Sequence, residues 1–418
     1  MAFRLIFSEE IEFLNEELNI NIPFRKAFMD KMIIRAYDKF GREHKLYKLS
    51  CKNYELSIAK DYKCELKEDD FKSWDELVED NLDRLKSLEK KALEDIQFYL
   101  DKYKKHLPTV LVSGGKDSAV VHHLVSSLIK EETVFSNTSN ESHQTYYYVK
   151  ENYPDVKIVN PKEGFYPYVK RTGLVPSKIV RACCNLLKER PILNGLDKCS
   201  KRIIFLGMRN AESVRRAGYN MEWRNKQWSK RDWFGVLPII NWEDKDVLLY
   251  LLWRKIPFNH LYKVGYGRVG CVCCSYRSQY ELLLNKRFLP FYHDRWQNTL
   301  ERDFLEFKKA PSLNCTLAEY LDGAWVGGMV RDEPTEEVLE EFSKNSNLDR
   351  EISDRYFNKF CNECGKRLKK NDVALSMKLY GRNSKYKCIN CLMKDFDLNK
   401  KDIEDLIKEF MADGCKLF

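Results

Sequence analysis

The residues best suited to chemistry are Ser113-Gly114-Gly115-Lys116-Asp117-Ser118, set between an apolar run and an amphipathic one. Two adjacent glycines let the backbone turn tightly and bring its N–H groups close to a ligand. A helix starting there presents free N–H groups and the positive end of its dipole, and both favour an anion. Ser113 and Ser118 add hydroxyl donors, and Lys116 adds a positive charge. The set suits a phosphate or a pyrophosphate. It is not the Walker A pattern, which needs a longer spacing and ends in Gly-Lys-Ser/Thr. Gly-Gly also punctuates ordinary strand–turn–helix corners, so the flanking segments must decide between a binding loop and a plain corner.

The cysteines form two further groups. Cys183-Cys184 and Cys271-Val272-Cys273-Cys274 supply a tandem pair and a C-x-x-C. Thiolates in such sets select soft metals and iron–sulfur clusters, and adjacent cysteines are awkward for a tetrahedral zinc site. Cys273 is an extra thiol able to substitute for a neighbour. Cys361-x-x-Cys364 and Cys388-x-x-Cys391, with 23 residues between the pairs, read as a structural zinc ribbon. Lys366, Arg367, Lys369, Lys370, Lys378, Arg382, Lys385 and Lys387 surround it, with Tyr380 and Tyr386 interleaved. That mixture suits either nucleic acid or a solvated, purely structural knob.

These residues need a frame. Thr109–Val112 reads as a buried strand, and Ser118–Ile129 as the helix that follows it. Further strands are expected at Thr133–Ser136, Lys157–Val159, Arg202–Gly207 and Phe234–Ile239. Helices are expected at Ser142–Asn152, from Cys184–Leu186 onward, and at Asp244–Lys255. The alternation is that of an α/β fold with a doubly wound parallel sheet, spanning residues 106–290. In such sheets ligands sit at the carboxyl ends of strands, where residues 113–118 fall. Residues 1–72 read as a mixed α/β extension, with helical spacing at Phe24–Ala36, a turn at Tyr37–Arg42 and strand-like alternation at Lys45–Ser57. Ser73 and Glu76 make a capping box for a long connecting helix over 73–105. Residues 291–358 look helical and charged, and residues 359–418 form a module with the second cysteine group and a tail.

The chain has 418 residues, room for two or three domains. It holds no apolar run of about 18 residues, so no transmembrane helix is expected. Met1-Ala2-Phe3-Arg4 does not open a secretory pattern. The expectation is a cytoplasmic protein without membrane contact. Its 14 cysteines then argue for metal or catalysis over disulfides. A net charge of +9, from 72 basic and 63 acidic residues, permits a nucleic-acid or nucleotide partner without demanding one.

Five segments, in order, carry a resemblance to a known family. Residues 113–118 resemble the SGGxDS loop of the PP-loop ATP pyrophosphatases, which include the phosphosulfate reductases. Phe135–Glu141 with Thr145 resembles a second strand-end motif, although that motif has Thr-Gly where this chain has Thr138-Ser139. Gly207-Met208-Arg209 through Ser213, then Arg215 and Arg216, resembles the G-x-R-x-x-x-S segment. Pro238–Trp242 with Asp246-Val247 resembles P-I-x-x-W…D-V. Asn259, Leu261-Tyr262 and Gly265-Tyr266, leading into Gly270-Cys271, resemble N-x-L-Y…G-Y. The chain therefore looks like a member of the phosphoadenosine phosphosulfate reductase-like branch.

The resemblance implies an adenine nucleotide alpha-hydrolase-like fold with an adenine nucleotide bound across the sheet. Ser113 to Ser118, Glu141, Gly207, Arg209 and Arg216 would bind it, the arginines gripping phosphate or sulfate by paired hydrogen bonds. Lys116, Asp117 and Arg209 would be catalytic. Glu141 or Asp117 would hold Mg, while Asp117 can equally be a plain helix-start residue. Cys183, Cys184, Cys271 and Cys274 resemble the [4Fe–4S] pattern of cluster-containing adenylylsulfate reductases. Cys415, near the end, sits where those enzymes carry a nucleophilic cysteine, but lacks the surrounding Glu-Cys-Gly. Three readings follow. In the first, ATP activates a DNA or tRNA target, pyrophosphate leaves and sulfur is delivered with a cysteine desulfurase as partner, as in DndC-like and tRNA-thiolating proteins. In the second, adenylylsulfate or its 3′-phosphate is reduced to sulfite with a thioredoxin-like donor. In the third, the chain is a nucleic-acid-binding module with a degenerate nucleotide site.

Overall fold

The computed structural model describes residues 3–172, 175–176, 182–212, 216–224, 226–307, 316–326, 361–366, 368–380 and 386–412. Met1–Lys162, Leu187–Cys273 and Arg277–Asp294 make up one unit, and Glu163–Leu186, Cys274–Tyr276 and Arg295–Phe418 the other.

The first unit opens with an antiparallel sheet of β1 (Arg4–Leu5), β2 (Ala27–Asp30), β3 (Ile33–Tyr37), β4 (Glu43–Lys52) and β5 (Glu55–Asp61), in that spatial order. The helical spacing of Phe24–Ala36 is thus misleading: the segment is the β2–β3 hairpin, turned at Lys31 and Met32 with φ of 47° and 64°. A short apolar run does not distinguish helix from strand by period, and cross-strand pairs such as Met29 with Ile34 decide the outcome. The connecting helix starts where its capping box predicts, with Ser73 Oγ accepting the Glu76 N–H at 3.2 Å. It is interrupted at Asn81, whose Nδ2 donates to the Leu77 carbonyl at 2.7 Å. Two helices result, Trp74–Asp80 and Leu82–Lys102.

A second sheet holds β6 (Leu107–Val112), β7 (Glu132–Ser136), β8 (Lys157–Val159), β9 (Arg202–Phe205), β10 (Glu222–Trp223) and β11 (Trp233–Val236), in the order β10-β11-β9-β6-β7-β8. Every neighbouring pair is parallel except β10 with β11. Side chains alternate across it. Val110, Val112, Phe135, Ile203 and Phe205 pack with Ile96, Val120, Leu124, Val247 and Leu251 from three helices. Val134 and Ile204 instead join Ile192, Leu193 and Trp228 in another buried cluster. The sheet is therefore covered on both faces, as expected of a doubly wound fold. The chain runs outward through β6, β7 and β8, then returns to the far side of β6 as β9. The carboxyl ends of β6 and β9 flank this reversal, the place where open α/β sheets hold ligands.

In the second unit Lys370–Tyr380, Ile389–Phe396 and Lys400–Ala412 are helices. Leu375, Leu392, Phe396 and Ile403 form one buried cluster, and Cys361, Leu368, Val373, Met377, Tyr386, Cys388 and Cys391 another. Between the two C-x-x-C pairs, Lys370–Tyr380 is helical. Asp372 enforces this locally: its carboxylate accepts the Lys369 N–H at 2.6 Å and the Ile389 N–H at 2.7 Å, so it ties the starts of two helices together. Among the described residues no helix is long and apolar enough to cross a membrane.

Candidate functional site at the reversal of the sheet

β6 ends at Val112, and the chain turns through Ser113–Gly115 into the helix Lys116–Ser126. Gly114 has φ of 72°, and a Cβ there would stand 2.8 Å from Thr145 Cγ2, so conformation and space both demand glycine. Ser118 Oγ accepts the Ser113 N–H at 3.1 Å and donates to the Gly115 carbonyl at 2.9 Å. Asn259 Nδ2 donates to the Gly114 carbonyl at 3.1 Å, and the Tyr262 hydroxyl accepts the Lys116 N–H at 2.9 Å.

The segment after β9 forms the facing wall. A Cβ on Gly207 would lie 2.6 Å from the Asp117 carbonyl carbon and 2.7 Å from the Ser118 nitrogen, with only backbone to give way. Overpacking of this kind costs about 1–3 kcal/mol. Gly207→Ala is therefore expected to lower the thermal unfolding midpoint by several degrees. An unchanged midpoint would show that the two backbones do not need this approach.

Two residues further on, Arg209 is only 1% exposed. Its Nε donates to Asp117 Oδ1 at 2.6 Å, one terminal nitrogen donates to the Trp242 carbonyl at 3.0 Å, and the other donates to Asp244. Lys116 Nζ lies 2.9 Å from Asp117 Oδ2 and 3.4 Å from Asp244 Oδ1. Two cations and two carboxylates thus close on one another. Burial by itself would lower the pKa of Lys116, but Asp117, Tyr262 and Asp244 more than offset it and keep the ammonium protonated. Burial would raise the Asp117 carboxyl, yet Lys116 and Arg209 hold it below its ordinary value. The fork of Arg209 is committed to protein acceptors, so its contact is with Asp117 and Asp244. Arg216 pairs with Glu212, whose carboxylate also accepts the Arg209 backbone N–H at 2.9 Å.

Glu141 accepts from the Thr138 N–H at 2.9 Å and the Thr138 hydroxyl at 2.7 Å, and faces Cys271 Sγ at 3.9 Å. Burial pushes its carboxyl above the ordinary range, against the hydrogen bonds from Thr138. Ser139, standing where the family motif has glycine, still takes φ of 60°, with its N–H donated to Asn137 Oδ1 at 3.0 Å. Asn140 holds the other side of the loop: its carbonyl accepts the Val272 N–H at 2.6 Å and its Oδ1 accepts the Cys273 N–H at 3.3 Å. Cys183 and Cys184 end a short helix, Ala182–Cys184, in the second unit, to which Cys274 also belongs, while Cys271 and Cys273 belong to the first. Cys415 lies outside the described residues.

Asp244 is a residue that motif reading does not reach. Its one sequence signal is a place in the first turn of the helix Asp244–Trp253, directly after the Pro238–Trp242 segment. Asn259 and Tyr262 do stand inside a matched segment, but nothing in their spacing says that they grip the loop at 113–118.

The second cysteine group converges. The Sγ atoms of Cys361, Cys364, Cys388 and Cys391 all lie within 4.8 Å of one another, with 3.6 Å between those of Cys364 and Cys388. Thiolates about 2.3 Å from one tetrahedral ion stand about 3.8 Å apart. A four-iron cubane puts each thiolate on a different iron and spreads them wider. The donor set fits a single ion. Burial raises the Cys361 thiol, but backbone N–H groups of Cys364, Cys388 and Glu363 outweigh it and bring it down to about 6. The Cys388 N–H reaches Cys361 Sγ at 3.2 Å.

With this geometry in hand, likeness to known proteins is informative. A phosphoadenosine phosphosulfate reductase domain matches residues 107–277, which run from β6 past the C-x-x-C. An adenosine 5′-phosphosulfate reductase of Geobacillus kaustophilus is 31% identical over 170 residues, 39% of this chain and 70% of that protein. An uncharacterised protein of Methanocaldococcus jannaschii is 29% identical over 238 residues, 56% of this chain and 57% of that one; a second from the same organism is 31% identical over 241 residues. The chain spans about half the length of these two relatives, 57% and 49%. The phosphoadenylyl-sulfate reductase of Candida auris, solved with phosphate, is similar at 18% identity over 45% of this chain and 93% of that one, with a TM-score of 0.35. The matched segment contains the turn at Gly114, the close approach at Gly207 and the buried Arg209, so the chain belongs to the phosphoadenosine phosphosulfate reductase domain family.

Proposed function

We propose that residues 107–277 bind an adenine nucleotide with its phosphate chain over residues 113–118, and that the chain is an enzyme of sulfur metabolism acting on that nucleotide. One observation carries this reading. A buried lysine opens the loop helix at the reversal of the sheet, and two carboxylates, each also paired with Arg209, hold it charged. An incoming phosphate would compete with Asp117 and Asp244 for Lys116, and these carboxylates would be the residues to hold a Mg ion, which would supply charge neutralisation for the phosphates. Arg209 keeps both acids in register during that exchange. Glu141, already bonded to Thr138 and drawn toward its neutral form, suits Mg less well than Asp117.

The finer reading is that the nucleotide is ATP, that pyrophosphate leaves, and that the activated target, a DNA or tRNA, receives sulfur, with a cysteine desulfurase as partner. It is supported by the sheet of residues 4–61 and the four-thiol module, both outside the matched segment. The relatives named adenosine 5′-phosphosulfate reductase favour a second reading, reduction of a sulfonucleotide to sulfite with a thioredoxin-like donor and Cys415 as nucleophile. The tandem-cysteine and C-x-x-C motifs of the sequence support a [4Fe–4S] cluster, which would bring redox or sulfur-holding capacity. Cys361, Cys364, Cys388 and Cys391 would hold zinc.

The readings separate on products. Pyrophosphate release from ATP, stimulated by DNA or tRNA and lost in Asp117→Ala, is the expected result. Sulfite formed from adenylylsulfate, and lost in Cys415→Ser, would replace the ATP reading with the reductase one. Neither product, from protein purified without oxygen and loaded with metal, would remove both and leave a binding module.

A further inference from the structure

Tyr262 is buried, 6% exposed, and its hydroxyl stands at the first residue of the loop helix. The oxygen accepts the Lys116 N–H at 2.9 Å. A phenol has two acceptor positions and one donor proton. One acceptor position is taken by backbone, and the proton has no acceptor among the described residues. The hydroxyl is also 3.3 Å from where a Cβ on Gly115 would stand, so it lies on the inner side of the turn. Backbone N–H groups at a helix start ordinarily point at an anion. Here one of them is covered by a hydroxyl, whose own proton takes its place.

We propose that Tyr262 is a positioning residue for the phosphate chain: it relays the Lys116 N–H by donating its hydroxyl proton to an oxygen of the anion bound at residues 113–118. Asn259 fixes the relay, because it holds the Gly114 carbonyl and caps the short helix His260–Lys263 that carries Tyr262. The assignment deepens the nucleotide reading above and rests on it. It also distinguishes the two ends of the ligand. The phenol serves the anionic chain and makes no call on the adenosine.

A hydrogen bond to a charged group contributes about 1.5–3 kcal/mol. Removing it is therefore expected to weaken binding by roughly ten- to a hundredfold, at 1.4 kcal/mol per factor of ten. The test is calorimetric titration of the full chain and of Tyr262→Phe with inorganic pyrophosphate, with ATP and with adenosine. The Phe variant keeps the ring and removes the hydroxyl. Weaker pyrophosphate and ATP binding, with adenosine binding and the ligand-free unfolding midpoint unchanged, supports the relay. A parallel loss for adenosine and a lowered midpoint would mean that Tyr262 only shapes the turn. Unchanged pyrophosphate binding would overturn the assignment while leaving the nucleotide reading intact. Failure of the parent chain to bind any of the three would overturn that reading, and the relay with it.

Discussion

Arg209→Ala is expected to destabilise the first unit by about 3–5 kcal/mol, because removing one partner of a buried ion network leaves uncompensated charge. Asp117 and Asp244 would then share Lys116 alone. The loss is more than electrostatic: the guanidinium also fixes the distance between the loop helix, through Asp117, and the segment after β11, through Asp244 and the Trp242 carbonyl. Misplacement of a reacting group by about 1 Å costs roughly a hundredfold in rate, so turnover in the proposed reaction should fall at least that far. Arg209→Lys keeps a charge and loses the fork, and should recover only part of the stability. Denaturant unfolding measures the first effect and pyrophosphate or sulfite release the second. A stable, active Arg209→Ala protein would sink the account of this site. The same network has a pH signature. The folded-state pKa of Asp117 is depressed, so its contribution is complete above the unfolded value of about 3.9 and disappears as the pH falls through the lower folded value. Arg209→Ala should weaken that depression and move acid unfolding to higher pH.

Cys391→Ser should release the proposed zinc ion and melt the module that begins at Cys361. Three of the four cysteines are part of its buried cluster with Leu368, Val373, Met377 and Tyr386, so the metal site and the core are one object. Structural zinc contributes about 10–16 kcal/mol of apparent binding free energy in small peptides, at least as much as a cluster this size gains by burial at about 1.5–3 kcal/mol per large side chain. Elemental analysis should find one zinc in the parent chain and none in the variant, with helical signal lost from 370–412. Any iron would be counted separately and should survive. A variant that retained zinc and helicity would show that the four thiols are not the ligands.

Much of the frame is legible from residue order. The parallel strands follow from short apolar runs separated by helical spacing, and residues 113–118 fall at a strand end in any such reading. The Ser73–Glu76 capping box marks a helix start, because the bonds involved are local. The spacing of Cys361, Cys364, Cys388 and Cys391 announces a metal site, because each C-x-x-C knuckle is itself a local structure. Where the reading went astray, at Phe24–Ala36, long-range pairing decided: β2 finds β3.

The sequence alone establishes the SGGKDS loop, its place at the end of a strand, the family and the four-thiol set. Each is written in residues close together or at a fixed spacing. Only the tertiary structure brings Asp244 and Arg209 onto Asp117, lays Gly207 against the loop backbone, and seats the Tyr262 hydroxyl on the Lys116 N–H, 146 residues away. Those contacts join segments distant along the chain, and the hydrogen bonds and charges that hold them exist once the sheet has folded and excluded water from the site. The phosphate-binding character of the loop can be read from its own residues, whereas its charge balance and the donor that covers its first N–H depend on what the fold packs against it.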